Sequence, residues 1–150
     1  MEYIPLSETP YYTDCVPVVA GLGYSLVELR VVRHRGSVRV TAVIADRDPS
    51  AAIGLGDCAR VHRALALRLE ALLGNEEIAM EVTSPGTDRV IKNAAEFALF
   101  PGRQVKVWDR EAADWILGAI AGTTDTAVVL AGENDQRTIP FEHIAKAKLG

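Results

Sequence analysis

The stretch VELRVVRHRGSVRVTAVI, residues 27–44, determines how the first part of this chain folds. Apolar side chains recur at odd positions in its first half and at even positions in its second half, which is the period of a half-buried strand. Gly36 accepts the positive φ of a tight turn, so the stretch predicts an antiparallel hairpin centred on Arg35 and Gly36. One face of the hairpin is expected to be buried, and the open face is expected to carry Arg30 and Arg39.

Segments with the apolar spacing of a helix lie on both sides of this hairpin. Apolar residues recur every three or four positions over 11–22 and over 55–73, and Gly74 with Asn75 is expected to end the second helix. The predicted buried stripe of that helix is Leu55, Cys58, His62, Leu65, Ala66, Leu69, Leu72 and Leu73. Residues 78–83 then predict a third strand. The order helix, strand, strand, helix, strand predicts an α+β unit whose small sheet is covered by helices.

Turn-forming residues mark the end of this first part of the chain. They are Ser84, Pro85, Gly86, Thr87 and Asp88. Beyond them a small barrel is predicted from four short segments at 104–108, 115–121, 127–130 and 137–139. Helical spacing over 141–149 predicts a short closing helix. We therefore expect an N-terminal domain at 1–84, a junction at 85–102 and a C-terminal domain at 103–150.

Composition limits the classes of protein to which the chain can belong. Hydrophobic residues make up 49% and charged residues 24%, which excludes a wholly disordered chain. A net charge of −4 excludes an overall basic clamp for nucleic acid, although it allows a local basic patch. The two cysteines are too few for a disulfide scaffold, and the chain shows neither a basic leader nor a long apolar run. We expect a soluble, cytoplasmic protein with reduced thiols.

Catalytic and metal-binding patterns are missing from the sequence. His34, His62 and His143 each lack a second ligand at metal spacing, and no phosphate-binding loop is present. We therefore expect no enzyme activity, no cofactor and no metal. One rival hypothesis is a small thiol enzyme that uses Cys58 at the start of a helix, where the helix dipole lowers a thiol pKa.

A basic hairpin is the main candidate for binding. Four arginines lie within ten residues, at Arg30, Arg33, Arg35 and Arg39. Guanidinium groups match phosphate bidentately, so the hairpin suits an RNA backbone. The alternative is a solvated edge whose positive charge prevents aggregation, and the residues alone leave both interpretations open.

Five motifs together resemble the bacterial ribosome maturation factor RimP family along nearly the whole chain. The most specific is EVTSPGTDR at residues 81–89, close to a Glu-Val-Ser-Ser-Pro-Gly-x-Asp-Arg pattern. The others are GYSLV at 23–27, Asp57-Cys58 followed by Arg63, Phe100 followed by Gly102-Arg103-x-Val105, and IPFEHIAKA at 139–147.

This resemblance implies an αββαβ domain joined to an SH3-like (Sm-like) barrel. It also implies a non-enzymatic factor that binds the free small (30S) ribosomal subunit, assists its late assembly and engages a ribosomal protein through the barrel. The expected partners are 16S rRNA and ribosomal proteins of that subunit, with no membrane and no small-molecule substrate.

Site residues follow from the resemblance and the basic patches together. The candidate rRNA contacts are Arg30, Arg39, Arg60 and Arg63. The candidate domain-junction motif is Ser84, Pro85, Gly86, Asp88, Arg89 and Lys92. The alternative is an RNA-binding regulatory module not tied to the ribosome, and the low aromatic content of 6% argues against it because bases stack on aromatic rings.

Overall fold

The chain divides into two compact units in the computed structural model, which describes residues 1–74 and 77–150. The first unit comprises Leu6–Pro85, and the second comprises Met1–Pro5 together with Gly86–Gly150.

The first unit has the predicted αββαβ order. After a 3₁₀ turn at Leu6–Glu8, its elements are α1 (Tyr12–Gly21), β1 (Tyr24–His34), β2 (Ser37–Asp46), α2 (Leu55–Leu73) and β3 (Glu77–Thr83). Helix α1 continues through Pro17. Helix α2 is followed by Gly74 at a φ of 71°, and Asn75, expected to share in ending it, lies outside the described residues.

The β1–β2 hairpin has the predicted register. Arg30 lies opposite Thr41 and Val31 opposite Val40, so the turn contains only Arg35 and Gly36. Gly36 has a φ of 79°, which is the left-handed conformation that glycine adopts without strain. The predicted hairpin is therefore confirmed.

Strand β2 is the centre of a three-stranded sheet in the order β1-β2-β3. Strand β3 runs parallel to β2, and α2 supplies the crossover that a parallel pair needs. The helices cover one face of the sheet. The buried residues between them include Cys15 and Val19 of α1, Leu29, Val38, Val40, Ala42 and Ile44 of the sheet, and Val61, Leu65, Leu69 and Leu73 of α2.

The predicted stripe of α2 is wrong at its start. Leu55 is 91% exposed and His62 is exposed, whereas Val61 is buried. Leu55 is the first residue of α2, six residues before Val61, where the packed stripe begins. The residues that pack on the sheet recur every fourth position from Val61 to Leu73, so the first turn of α2 precedes the packed stripe.

The second unit is rich in strands. It contains β4 (Val90–Ile91), a 3₁₀ helix at Ala94–Leu99, β5 (Gln104–Asp109), β6 (Asp114–Thr123), β7 (Ala127–Ala131), β8 (Gln136–Pro140), a 3₁₀ turn at Phe141–His143 and β9 (Ile144–Leu149). The strands form one sheet in the order β4-β9-β5-β6-β7-β8. No pairing within the described residues joins β8 back to β4 or β9, so this sheet is not a closed barrel.

The predicted closing helix over 141–149 is wrong. Only Phe141–His143 is helical, and Ile144–Leu149 is strand β9, which pairs with β4 on one side and β5 on the other. Its buried residues are Ile144, Ala147 and Leu149. An extra residue, Ala145, bulges out of the ladder next to Trp108, and this bulge makes the apolar spacing resemble that of a helix.

Residues 86–102 of the expected junction belong to the second unit. Ile91 pairs with Ala147, and Phe97 and Phe100 are buried. The first five residues of the chain join the same unit, because Asn93 binds both backbone groups of Ile4 at 2.8 and 2.9 Å. This division differs from the expected linker because the segment supplies core side chains as well as a β-strand.

No helix in the described ranges is long and apolar enough to cross a membrane.

Gly118 in β6 has no room for a side chain. A Cβ atom there would lie 2.9 Å from the Ala131 carbonyl oxygen and 3.1 Å from the Leu130 Cβ. We expect Gly118→Ala to lower the free energy of unfolding by about 1 to 3 kcal/mol, because backbone must move to admit the methyl group. Urea denaturation followed by tryptophan fluorescence measures the loss. Gly122→Ala is the matched control, because a Cβ atom at this position of the same strand would have nothing within 4 Å, and it should not destabilise the protein. Equal losses for the two variants would contradict an effect of the close contacts at Gly118.

Candidate nucleic-acid interface

The face of the first unit's sheet opposite the helices, here called the open face, carries two of the predicted contacts. Arg30 on β1 and Arg39 on β2 alternate with buried core residues, so both point away from the helices. The hairpin register places Arg30 beside Thr41 and Arg39 beside Val32. The two-residue turn therefore brings Arg30 and Arg39 together, although nine positions separate them.

A shallow groove of about 790 Å³ runs over the open face. Its lining includes Arg30, Val32, His34, Arg39, Thr41, Glu77, Ala79 and Glu81. Arginines lie on β1 and β2, and carboxylates lie on the edge strand β3, where Glu81 shares a row with Thr41 and Arg30. An anion bound here is drawn toward the β1–β2 side and repelled from β3.

Little within the described chain restrains the two arginines. Arg30 is 69% exposed and lies 3.9 Å from the carboxylate of Glu28, an ion pair that adds little in water. Arg39 makes no hydrogen bond or ion pair with any described residue. Both guanidinium groups therefore keep most of their donors for an external acceptor.

The other hairpin arginines have different positions. Arg33 donates to the Tyr11 hydroxyl at 2.7 Å and lies over its ring, which attaches it to the side of the sheet that the helices cover. Arg35 lies in the turn itself. The four arginines of the basic hairpin thus do not form one surface.

The remaining predicted contacts lie on α2. Arg60 donates to the Tyr24 hydroxyl at 3.1 Å and lies 4.0 Å from Asp57, so it belongs to a local cluster. Arg63 is exposed and makes no hydrogen bond or ion pair in the described part of the chain. Arg60 and Arg63 therefore lie on the helix layer, while Arg30 and Arg39 lie on the opposite side of the same sheet.

Asp57 organises the start of α2. Its carboxylate accepts hydrogen bonds from the Tyr24 hydroxyl and from the Gly54 backbone N–H. The hydrogen bond from Tyr24 is the main cause that lowers the pKa of Asp57, and the bond from Gly54 adds to it. The Tyr24–Asp57 bond also raises the pKa of Tyr24. Asp57 is thus a carboxylate at neutral pH, and it positions Arg60.

Arg89 of the expected junction motif is part of an internal ion pair. It donates from Nε to a Glu96 carboxylate oxygen at 2.8 Å, and one of its terminal nitrogens lies 2.7 Å from the same oxygen. The two side chains are only 16% and 7% exposed. This geometry gives Arg89 a partner within the second unit.

The rest of the motif is exposed or forms backbone turns. Gly86 has a φ of 79°, a conformation that favours glycine. Ser84, Asp88 and Lys92 are exposed, and Pro85 is half-buried. Of these residues, Lys92 has a cationic side chain that solvent can reach.

Both thiols have raised pKa values in the folded chain. Burial raises the pKa of Cys15 to about 11. Burial, together with the neighbouring Asp57 carboxylate, also raises the pKa of Cys58. The helix dipole therefore does not lower the pKa of Cys58 below its ordinary value, whereas a thiol enzyme that used this cysteine would need a lowered pKa. The described residues also hold no cluster of three or more potential metal ligands.

Several residues of these clusters are not evident from the sequence. Tyr24 and Asp57 lie 33 positions apart, and no local spacing links them. Glu96 follows Arg89 by seven positions across a turn, so helical periodicity does not pair them. The carboxylates of Glu77 and Glu81 are visible as alternating positions of β3, but their place beside β2 follows only from the parallel pairing.

Comparison with known families identifies the chain. Residues 15–88, about half of its length, match the model of the RimP N-terminal domain. The chain belongs to the RimP family. This is a family of ribosome maturation factors, generally without enzymatic activity, and the resemblance expected from the sequence motifs is confirmed. Ribosome biogenesis is therefore the process in which the family acts.

The Arg89–Glu96 pair provides a stability test. Arg89→Met keeps much of the apolar stem but leaves the Glu96 carboxylate buried without its partner, so we expect a loss of about 3 kcal/mol in unfolding free energy. Urea denaturation measures it. The control Arg30→Met removes an exposed pair and should change stability by less than about 0.5 kcal/mol. Equal effects of the two substitutions would contradict a stabilising role for the buried pair.

Thiol labelling tests the inert character of both cysteines. At pH 7 a raised pKa reduces the thiolate fraction, so iodoacetamide should label Cys58 more slowly than glutathione and Cys15 at least about 100-fold more slowly. Labelling should accelerate as the pH rises toward each thiol's pKa, and in urea the two sites should react alike. Mass spectrometry of tryptic peptides gives the rates. Rapid alkylation of Cys58 in the native protein would instead favour the thiol-enzyme hypothesis.

Proposed function

We propose that this chain binds the free 30S ribosomal subunit in the cytoplasm and assists late steps of its assembly by binding, without catalysis. The observation that carries the proposal is the match of residues 15–88 to the RimP N-terminal domain, together with the family motifs beyond that range. Its partners would be 16S rRNA and one or more ribosomal proteins of the small subunit.

The open face is the proposed rRNA contact of the first unit. Arg30 and Arg39 provide bidentate donors that no strong acceptor among the described residues occupies, and phosphate groups match this geometry. The carboxylates of Glu77 and Glu81 limit the contact to the β1–β2 side of the groove. A net charge of −4 also disfavours indiscriminate coating of RNA, because nonspecific affinity grows with the number of phosphate contacts.

Arg60 and Arg63 are proposed as a second contact on the helix layer. Arg63 is the more available, since Arg60 already donates to Tyr24 and lies beside Asp57. Because these two arginines and the open face lie on opposite sides of the sheet, one RNA strand lying flat on the open face could not contact both. The proposal therefore treats them as contacts to separate rRNA segments.

For the second unit we propose an SH3-like (Sm-like) fold that contacts a ribosomal protein. Strands β5 to β8 are consecutive antiparallel neighbours, and β9 returns to pair with β5, which is the connectivity that a small barrel requires. The motif at 84–92 is proposed to join the two domains. In this view Arg89 acts through Glu96, and Lys92 remains available to a partner.

Charge reversal tests the open-face contact. Arg30→Glu with Arg39→Glu should weaken co-sedimentation with free 30S particles, because it replaces two phosphate donors by repelling carboxylates. The magnitude of the slope of log affinity against log salt should also fall by about 1.4 to 1.8, the expected change for two lost phosphate contacts. Sucrose-gradient sedimentation at several salt concentrations provides the measurement.

The matched control carries the same change in net charge elsewhere. Arg47→Glu with Arg137→Glu reverses two exposed arginines outside the open face and should bind 30S particles nearly as well as the parent chain. Equal binding by all three proteins across the salt series would exclude the open face as a contact. Selective binding to free RNA oligonucleotides without any 30S association would favour the alternative of an RNA-binding regulator.

A further inference from the structure

The outer face of the second unit's sheet carries lysines and tryptophans side by side. One row across β4, β9, β5 and β6 is Val90, Lys148, Lys106 and Leu117, and the next row across β9, β5 and β6 is Lys146, Trp108 and Trp115. We call these seven residues the lysine–tryptophan face. No carboxylate occupies these register positions.

Strand alternation directs these side chains away from the core. Lys106 and Trp108 alternate with the buried residues Val105 and Val107, and Lys148 alternates with Ala147 and Leu149 in the same way. The face includes two large apolar residues that are well exposed, Val90 at 53% and Leu117 at 64%. Neighbouring strands lie about 4.8 Å apart, so four strands give a face about 14 Å wide.

The two tryptophans form one edge-to-face aromatic pair. Trp108 and Trp115 are opposite each other on β5 and β6, with ring centroids 5.6 Å apart and planes at 80°. Lys146 Nζ lies 5.9 Å from the first centroid and 5.6 Å from the second, and Lys106 Nζ lies 5.4 Å from the Trp115 centroid. The ammonium groups of Lys106 and Lys146 are therefore each placed against an aromatic ring, and neither forms an ion pair with a carboxylate of the described residues.

A ligand for such a face needs flat π surfaces and negative charge at short, regular intervals. Unpaired nucleotides supply both, because each base stacks on an aromatic ring while its phosphate meets a cation. A duplex offers the phosphates but keeps its bases stacked internally, and an acidic peptide offers charge without a flat ring. Proteins that bind unpaired RNA on a sheet use a few exposed aromatics to stack two or three bases.

We propose that the lysine–tryptophan face binds single-stranded RNA by stacking bases on Trp108 and Trp115, with Lys106, Lys146 and Lys148 contacting phosphates. This mode differs from that of the open face, whose groove is lined by arginines and by no phenylalanine, tyrosine or tryptophan among the described residues. The proposal does not depend on binding to the 30S subunit, since a free oligonucleotide suffices to test it.

The sequence offers a direct probe. The chain contains two tryptophans, and both belong to this face, so intrinsic tryptophan fluorescence reports on it alone. Titration of the full chain with a ten-nucleotide oligouridylate at low salt should quench this emission saturably. An RNA hairpin with the same number of phosphates and a polyglutamate of equal charge should quench far less.

Variants separate stacking from charge. Trp108→Leu or Trp115→Leu should weaken the binding of fluorescein-labelled oligouridylate at least tenfold, with an unchanged salt slope, whereas Trp115→Phe should keep most of the affinity. Lys146→Gln with Lys148→Gln should lower the salt slope by about 0.7 for each lost contact. Arg47→Gln removes one exposed charge outside the face and is the control. Circular dichroism verifies that each variant is folded, and the Phe and Gln variants keep the test decisive if a Leu variant unfolds.

Three results would overturn the proposal. The first is no saturable quenching by oligouridylate, and the second is equal affinity for the duplex or for polyglutamate, which would indicate a site that responds to charge alone. The third is unchanged affinity in both Leu variants. None of these outcomes bears on the open-face variants in 30S sedimentation, so failure here and failure of the ribosomal proposal are distinguishable.

Discussion

The two-residue turn at Arg35 and Gly36 is the constraint on which the first unit depends. A one-residue change in its length would move every side chain of one strand to the opposite face, exposing Val38 and Val40 and burying Arg39. The same turn therefore positions the apolar core and the cationic surface together. Gly36, at a φ of 79°, makes that turn possible without strain. In this unit the stability of the core and the display of arginines have one geometric cause.

Arginines in this chain illustrate how surroundings determine the role of a charge. Arg39 is exposed and without an internal partner in the described residues, and it is suited to an external anion. The charge of Arg60 is partly neutralised by Asp57, and the lowered pKa of Asp57 keeps that carboxyl group charged at neutral pH. Arg89 is largely buried against Glu96, where removing either side chain would leave the other as an uncompensated charge. Guanidinium content alone therefore does not locate a binding surface.

Strand β9 has the corresponding role in the second unit. It pairs with β4 and β5, its apolar residues complete the buried side, and its Lys146 meets the tryptophans of β5 and β6 on the other side. The Ala145 bulge shifts the register between Lys146 and Ile144, which keeps Ile144 buried while Lys146 lies beside Trp108. The two units thus present different chemistry, with arginines on a groove in one and lysines around aromatic rings in the other.

The sequence by itself determined the αββαβ order, the hairpin register, the open face of Arg30 and Arg39, and the family, because these depend on local periodicity, a glycine turn and contiguous motifs. Tertiary structure alone decided that 144–149 is a strand, that Leu55 is exposed, that Arg89 pairs with Glu96 and that Lys146 meets Trp108. These features join residues distant in the chain or depend on which side of an element is packed. Short apolar segments fit a helix or a strand equally well until a neighbouring strand supplies hydrogen bonds.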